Sequence, residues 1–315
     1  MIRLLLALLF AGALHAAAPR HLGPLLTLDN GVVAVDVATS LGRITGFHRP
    51  GEADWVQIFD EPVSPETDYK PWGGDRIWPL LIQFAPQAYG GPNFDLAIET
   101  GPWTVIGSGP RFVELRSPDS RPLALRIIRR IELPAGRAEV IHRIRLERFA
   151  DNPFPVQVWA VTSIPAGDAV FMDRQTAVRQ NDGTAFKRWP HAFTEEPSAR
   201  LLARDRVLRV AFAREKIKTG TYGAWIAVTR KNSAFLQTTV YDPSAFYPDE
   251  SSLQFYSETA RAYHELETLS PSWHLRAGEH RDWTVRWTLL DFPAGTATDE
   301  QRAARLATLA AEPLP

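Results

Sequence analysis

The sequence predicts an all-β protein, a large antiparallel sandwich, and three observations carry that prediction. Apolar and polar residues alternate with a period of two along most of the chain, which is the signature of half-buried strands. Short turn signals recur between those stretches: Asp29-Asn-Gly31, Pro134-Ala-Gly136, Asp151-Asn-Pro153, Asn181-Asp-Gly183 and Arg276-Ala-Gly278. Helical spacing is confined to the C-terminal end.

Taken in order, the first strand is expected at 31–37, after the Asp29-Asn-Gly31 turn, with further strands at 103–106, 111–115 and 123–133. In 138–149, Val140, His142, Ile144 and Leu146 share one face, while Arg143, Arg145 and Glu147 share the other. Strands follow at 156–164, 207–213, 224–229 and 234–241. A closing strand carries Trp283, Val285, Trp287 and Leu289 on one face. Residues 60–100 hold Pro62, Pro65, Pro71, Pro79, Pro86 and Gly90-Gly-Pro92, and read as loop. Thr298-Asp-Glu-Gln301 has the form of a capping box, and Ala303 to Ala311 is rich in helix formers, so a short helix is expected over 298–311. The sequence contains no low-complexity linker. The expected organisation is a single β domain over 19–292 followed by a helical tail over 293–315.

Residues 1–18 have the layout of a secretory leader: Arg3 in a short positive start, an apolar run from Leu4 to Leu14, and Ala16-Ala-Ala18 for cleavage. The expected location is the periplasm or the exterior of a bacterium. The chain has no cysteine, which excludes disulfides, thiolate metal sites and lipid attachment through sulfur. Its formal charge of −1 becomes −2 without Arg3, and so balanced a chain is not built for nucleic acid. Beyond the leader, no apolar run approaches the ~20 residues of a membrane span.

The segment most suggestive of chemistry is Tyr263-His-Glu-Leu-Glu267. On a strand, Tyr263, Glu265 and Glu267 point one way, opposite to His264 and Leu266, with the two acids about 6.6 Å apart at their bases. Two carboxylates aimed together call for water, a cation or a ligand. A second cluster, Trp72, Asp75, Arg76 and Trp78, lies beside Gly73 and Gly74 in the loop-rich segment. There tryptophan faces suit a sugar ring, and Arg76 and Asp75 suit hydroxyls or a uronate. Trp159 lies on a strand that could serve the same cleft or the core. Lys187, Lys216 and Lys218 read as solvated lysines. The histidines His142, His191, His264, His274 and His280 are scattered without metal-binding spacing, so neither metal nor cofactor is expected. Nucleophile elbows and phosphate loops are absent from the sequence.

Several motifs occur together in order: Leu41-Gly-Arg-Ile-Thr-Gly-Phe47, Trp72-Gly-Gly-Asp-Arg-Ile-Trp-Pro79, Trp159-Ala-Val-Thr162, Tyr263-His-Glu-Leu-Glu267, Leu275-Arg-Ala-Gly-Glu279 and Trp287-Thr-Leu289. This ordered set, spanning most of 27–290, resembles an uncharacterised bacterial family of the galactose mutarotase-like superfamily. The resemblance implies the β-supersandwich of aldose 1-epimerases. In that comparison Leu266-Glu267-Thr268 matches the strand whose glutamate is the general base. Trp72-Gly73-Gly74 stands where those enzymes carry His-Gly-Gly. The strand that supplies their acid histidine corresponds to Val156-Gln-Val-Trp-Ala-Val-Thr162, which has none. Trp cannot deliver the proton that ring opening needs, and Arg76 stays charged.

The expected function is therefore an exported carbohydrate-binding protein that holds a sugar or uronic acid in a cleft between Trp72–Trp78 and Glu265–Glu267. One alternative is a sugar epimerase with Glu267 as base and Glu265 or a loop residue as acid. A second is an envelope interaction module without a small ligand. No motif specifies an oligomeric state.

Overall fold

A computed structural model of the chain describes residues 22–61, 72–79, 85–89, 94–175, 186–189, 201–204, 206–212, 216–258, 262–293 and 298–315. Two large antiparallel sheets face one another, as the alternation predicts.

The first sheet has nine strands. From one edge it runs β1 (Leu25–Asp29), β2 (Ala34–Ala38), β3 (Arg43–His48), β4 (Asp75–Trp78) and β9 (Trp159–Ile164). It continues through β18 (Tyr263–Leu269), β17 (Leu253–Glu258), β14 (Ile217–Thr221) and β11 (Lys187–Arg188). The second sheet has ten strands, beginning β12 (Leu201–Arg204), β13 (Val207–Ala211), β10 (Ala169–Asp173), β15 (Trp225–Arg230) and β16 (Ser233–Thr239). It ends β19 (His280–Asp291), β8 (Glu139–Arg148), β7 (Leu125–Glu132), β6 (Phe112–Arg116) and β5 (Thr104–Gly109).

The core between the sheets follows from the period-two pattern. Val140, His142, Ile144 and Leu146 of β8 are buried, and Arg143, Arg145 and Glu147 lie at the surface side. On β19, Trp283, Val285, Trp287 and Leu289 point inward, and the Trp287 ring packs against Phe47 of the first sheet and Phe235 of β16. The helix α3 (Asp299–Ala310) carries the expected capping box between Thr298 and Gln301. It covers the outer side of the second sheet, burying Leu306 against Phe171, Trp225, Leu236 and Phe292.

Residues 60–100 hold more order than a loop. They contain β4 and two five-residue helices, α1 (Ala85–Tyr89) and α2 (Leu96–Thr100). Five residues are too few to show helical periodicity, which is why the prolines and glycines dominated the reading. The structure also adds β1, β3, β10, β11, β12, β14 and β17 to the expected strands. The turn expected at Asn181-Asp-Gly183 and the leader over 1–18 lie outside the described residues.

Gly73 and Gly74 are needed for how the chain enters β4. Both have positive φ, +87° and +79°, a region that side chains disfavour. A Cβ on Gly73 would stand 2.1 Å from the backbone oxygen of Gln57, and one on Gly74 2.8 Å from that of Ile44. Gly73→Ala should therefore cost about 2–3 kcal/mol in urea unfolding through strain and overlap with backbone. A loss below about 0.5 kcal/mol would mean the β4 approach is looser than this packing indicates.

Candidate functional site

The outer side of the first sheet is the face that gathers chemistry, and strand registers determine which side chains reach it. Asp75 pairs with Thr162, and the Thr162 hydroxyl accepts from Gln237 of the second sheet, so Asp75, Ile77 and Thr162 face inward. Arg76, Trp78, Trp159 and Val161 face outward. In the next pairing, Glu267 lies opposite Val161 and Glu265 opposite Ser163, which puts both acids on the outer face as the alternation of β18 requires. Beyond them Tyr256 of β17 lies opposite Glu265, and Lys218 of β14 lies opposite Tyr256.

Each acid is matched to a cation across the strands. An Oε atom of Glu265 accepts from Arg76 at 2.6 Å. Both carboxylate oxygens of Glu267 accept from the Lys218 ammonium, at 2.5 and 2.7 Å. The indole N–H of Trp159 donates to the same Glu267 at 2.7 Å. Glu267 is 0% exposed, whereas the Lys218 side chain is 15% exposed. Burial pushes the Glu267 carboxyl above its ordinary range; the Lys218 ammonium opposes that shift and neighbouring Glu265 adds to it.

Trp78 and Trp159 are buried with Phe94, Val161 and Leu269 in a small apolar cluster on this face. Their rings meet edge to face at 5.0 Å. The Trp78 N–H donates to Glu99 of α2 at 2.8 Å, and Glu99 is also paired with Arg43 of β3. In this arrangement both tryptophans act as buried donors that fix carboxylates. The Arg76 guanidinium lies 4.9 Å over the Trp78 ring, so Arg76 is held from two sides.

Of the residues singled out in the sequence, the structure brings Arg76, Trp78, Trp159, Glu265 and Glu267 together. Trp72 stands just before β4, where its carbonyl accepts from the Phe59 N–H. Tyr263 opens β18, opposite Glu258. Asp75 is turned away from this group. It is 1% exposed inside the sandwich, ion-paired with Arg129 of β7, and accepts from the Thr162 hydroxyl at 2.8 Å. Burial raises its pKa and Arg129 opposes the rise. Arg129 also donates to the carbonyls of Gly42 at 2.7 Å and Asp75 at 3.1 Å, so one guanidinium ties the second sheet to β3 and β4. Reading Asp75-Arg-Ile-Trp78 as loop hid this split, since only a strand sends Asp75 and Arg76 to opposite faces.

Lys218 is the residue that sequence reading passed over as solvated. Its signal was the alternation Lys216-Ile217-Lys218 with Ile217 buried, which sends both lysines outward. The ammonium lies 5.4 Å from the Trp159 ring, 5.5 Å from Trp189 and 6.0 Å from Tyr256. Among the described residues, no three His, Asp or Glu side chains gather in a way that could hold a metal ion.

Comparison with solved structures places this architecture. The chain is similar to a galactose mutarotase-like protein from Lactobacillus casei, with a TM-score of 0.59 and 10% identity over 85% of this chain and 100% of that one. It is similar to a protein provisionally assigned as an aldose 1-epimerase from Escherichia coli K12, with a TM-score of 0.58 and 13% identity over 85% and 99%. A galactose mutarotase related enzyme from Lactobacillus acidophilus gives a TM-score of 0.55 and 10% identity over 86% and 99%. No protein-family model matches the sequence. No curated protein matches it either. The fold is that of the galactose mutarotase-like proteins, as the ordered motifs implied.

Proposed function

We propose that the protein recognises a carbohydrate on the outer face of the first sheet, at the Arg76–Glu265 and Lys218–Glu267 pairs. The observation that carries the reading is this crossed arrangement of two carboxylates and two cations beside aromatic rings, on a fold shared with galactose mutarotase-like proteins. Sugar hydroxyls both donate and accept, so carboxylate and ammonium groups side by side suit them. Protein of this kind would be exported, on the strength of the leader over 1–18. Sequencing the N-terminus of protein recovered from the periplasm tests that point, and an intact Met1 would count against it.

The epimerase reading is favoured by one observation, the raised pKa of Glu267 beside an ammonium. Glu267 would take the proton of the anomeric hydroxyl, and Lys218 would give one to the ring oxygen as the C1–ring oxygen bond breaks. Closure on the other face of the aldehyde returns both protons. In this scheme Lys218, not Glu265, stands where the missing histidine would act, because Glu265 is committed to Arg76.

The test is a thermal-shift screen of mono- and oligosaccharides, uronic acids included, with Glu267→Gln alongside. A ligand at 100 times its Kd adds about 2.7 kcal/mol of stability. The expected result is stabilisation of the wild type and little of the variant. For any sugar that binds, exchange of its anomers by NMR then separates binding from epimerisation. If no sugar moves either protein, the interaction-module reading takes over.

A further inference from the structure

The chain has five lysines among its 35 basic residues. Three of them, Lys187, Lys216 and Lys218, lie on β11 and on or beside β14 at the edge of the first sheet next to Glu267. Each faces a glutamate: Lys187 pairs with Glu250 at 2.6 Å, Lys218 with Glu267, and Lys216 with Glu258 at 3.6 Å. Aromatic rings lie beside them. Trp189 is 5.8 Å from the Lys187 ammonium and 5.5 Å from that of Lys218; Tyr256 is 5.9 and 6.0 Å from those of Lys216 and Lys218.

The strip opens toward the edge. Toward that edge, side-chain exposure rises from 0% at Glu267 and 15% at Lys218 to 29% at Lys187 on β11, and Lys216, just before β14, is 39% exposed. From β18 to β11 the strip crosses three strand spacings, about 14 Å. That length takes two pyranose rings end to end. Charge on the strip is balanced: Arg76, Lys187, Lys216 and Lys218 stand against Glu265, Glu250, Glu258 and Glu267. Nearby Asp249 is held above its ordinary pKa by burial, with Gln254, Lys218 and Lys187 opposing the rise. Each of these four cations already has a carboxylate partner, and each ammonium–carboxylate pair matches the donors and acceptors of neighbouring hydroxyls.

We propose that the Lys187–Glu250 pair, with Trp189, forms a second sugar subsite on the β11 side of Lys218, so that the ligand is an oligosaccharide of uncharged units. This rests on the carbohydrate reading above and narrows it.

The experiment is calorimetric titration of the full protein with glucose, galactose and mannose, their 1,4-linked disaccharides, and glucuronic and galacturonic acids. A disaccharide is expected to bind roughly tenfold tighter than its monosaccharide. Uronates are expected to bind no tighter than the neutral sugars. Trp189→Ala should bring the disaccharide-to-monosaccharide ratio down to about one. Lys187→Gln, which keeps the shape of the strip, should lower the same ratio and guards against a folding defect in the first variant. Equal affinity for mono- and disaccharide, a ratio unmoved by both substitutions, or preference for a uronate would overturn the second subsite while leaving sugar recognition intact. No binding by any of these probes would remove the carbohydrate reading and this inference together.

Discussion

Arg129→Met is expected to cost about 3–5 kcal/mol in urea unfolding, because it strands a carboxylate inside the sandwich. Asp75 is 1% exposed and Arg129 is 0% exposed. Without the guanidinium, Asp75 keeps, among the described residues, only the Thr162 hydroxyl as a side-chain donor, and the carbonyls of Gly42 and Asp75 lose the Arg129 hydrogen bonds. Burial also holds His142, 3.3 Å from Arg129, well below its usual pKa, with Arg129 adding to the effect; it is no ready replacement cation. Asp75→Asn in the Arg129→Met background should recover a good part of the loss, since a neutral amide is cheaper to bury than an unpaired charge. A single-variant cost below about 1 kcal/mol would mean that water enters the sandwich at this point. The same substitution loosens β4, so Arg76 and Trp78 should lose their fixed positions in proportion.

Lys218→Met should have the second large effect, about 3 kcal/mol at pH 8, and its pH dependence identifies the cause. Glu267 is 0% exposed and already has its pKa raised by burial, with Lys218 as the largest opposing influence. Removing Lys218 raises it further. A folded-state pKa above the unfolded value means that the folded protein holds the proton more tightly. That stability is present in full below the unfolded pKa and is lost as pH rises through the folded one. The deficit of Lys218→Met should therefore be largest at pH 8 and shrink as the pH is lowered toward 5. A deficit of the same size at both pH values would point to lost packing of the lysine stem on Trp159 and Tyr256 instead. In a double-mutant cycle with Glu267→Gln, the coupling should exceed the roughly 0.2–1 kcal/mol typical of exposed pairs.

Much of the architecture could be read from alternation alone. β8 shows it from His142 to Glu147, and β19 shows it in Trp283, Val285, Trp287 and Leu289, because one side of each faces the core. The same logic aimed Glu265 and Glu267 at one face, which the register against β9 and β17 bears out. β10 escaped because all five of its residues are buried, with Val170 and Met172 in the sandwich core and Phe171 in the cluster under α3. A strand covered on both sides has no alternation to show. β14 escaped for the opposite reason: its Ile-Lys-Thr-Gly-Thr stretch has a single large apolar residue, yet it supplies Lys218. The partners of the acids were not legible, since Arg76 and Lys218 meet Glu265 and Glu267 through pairings between distant parts of the chain. Asp75 shows the cost of one missed strand. Its placement depended on whether Asp75–Trp78 was extended, and the prolines on either side of that stretch concealed this.

The position of α3 has a practical consequence. The helix covers the outer side of β10, β15 and β16 in the ten-stranded sheet, and Arg286 of β19 donates to the carbonyls of Leu309 and Glu312, at 3.0 and 3.2 Å, at its C-terminal end. The Glu265–Glu267 face lies on the other sheet, turned the opposite way. Immobilising the protein through its last residues therefore presents the acidic strand and the lysine strip to solution, with the full thickness of two sheets between them and the support. A glycan array or a sensor chip built in that orientation would display the face that matters.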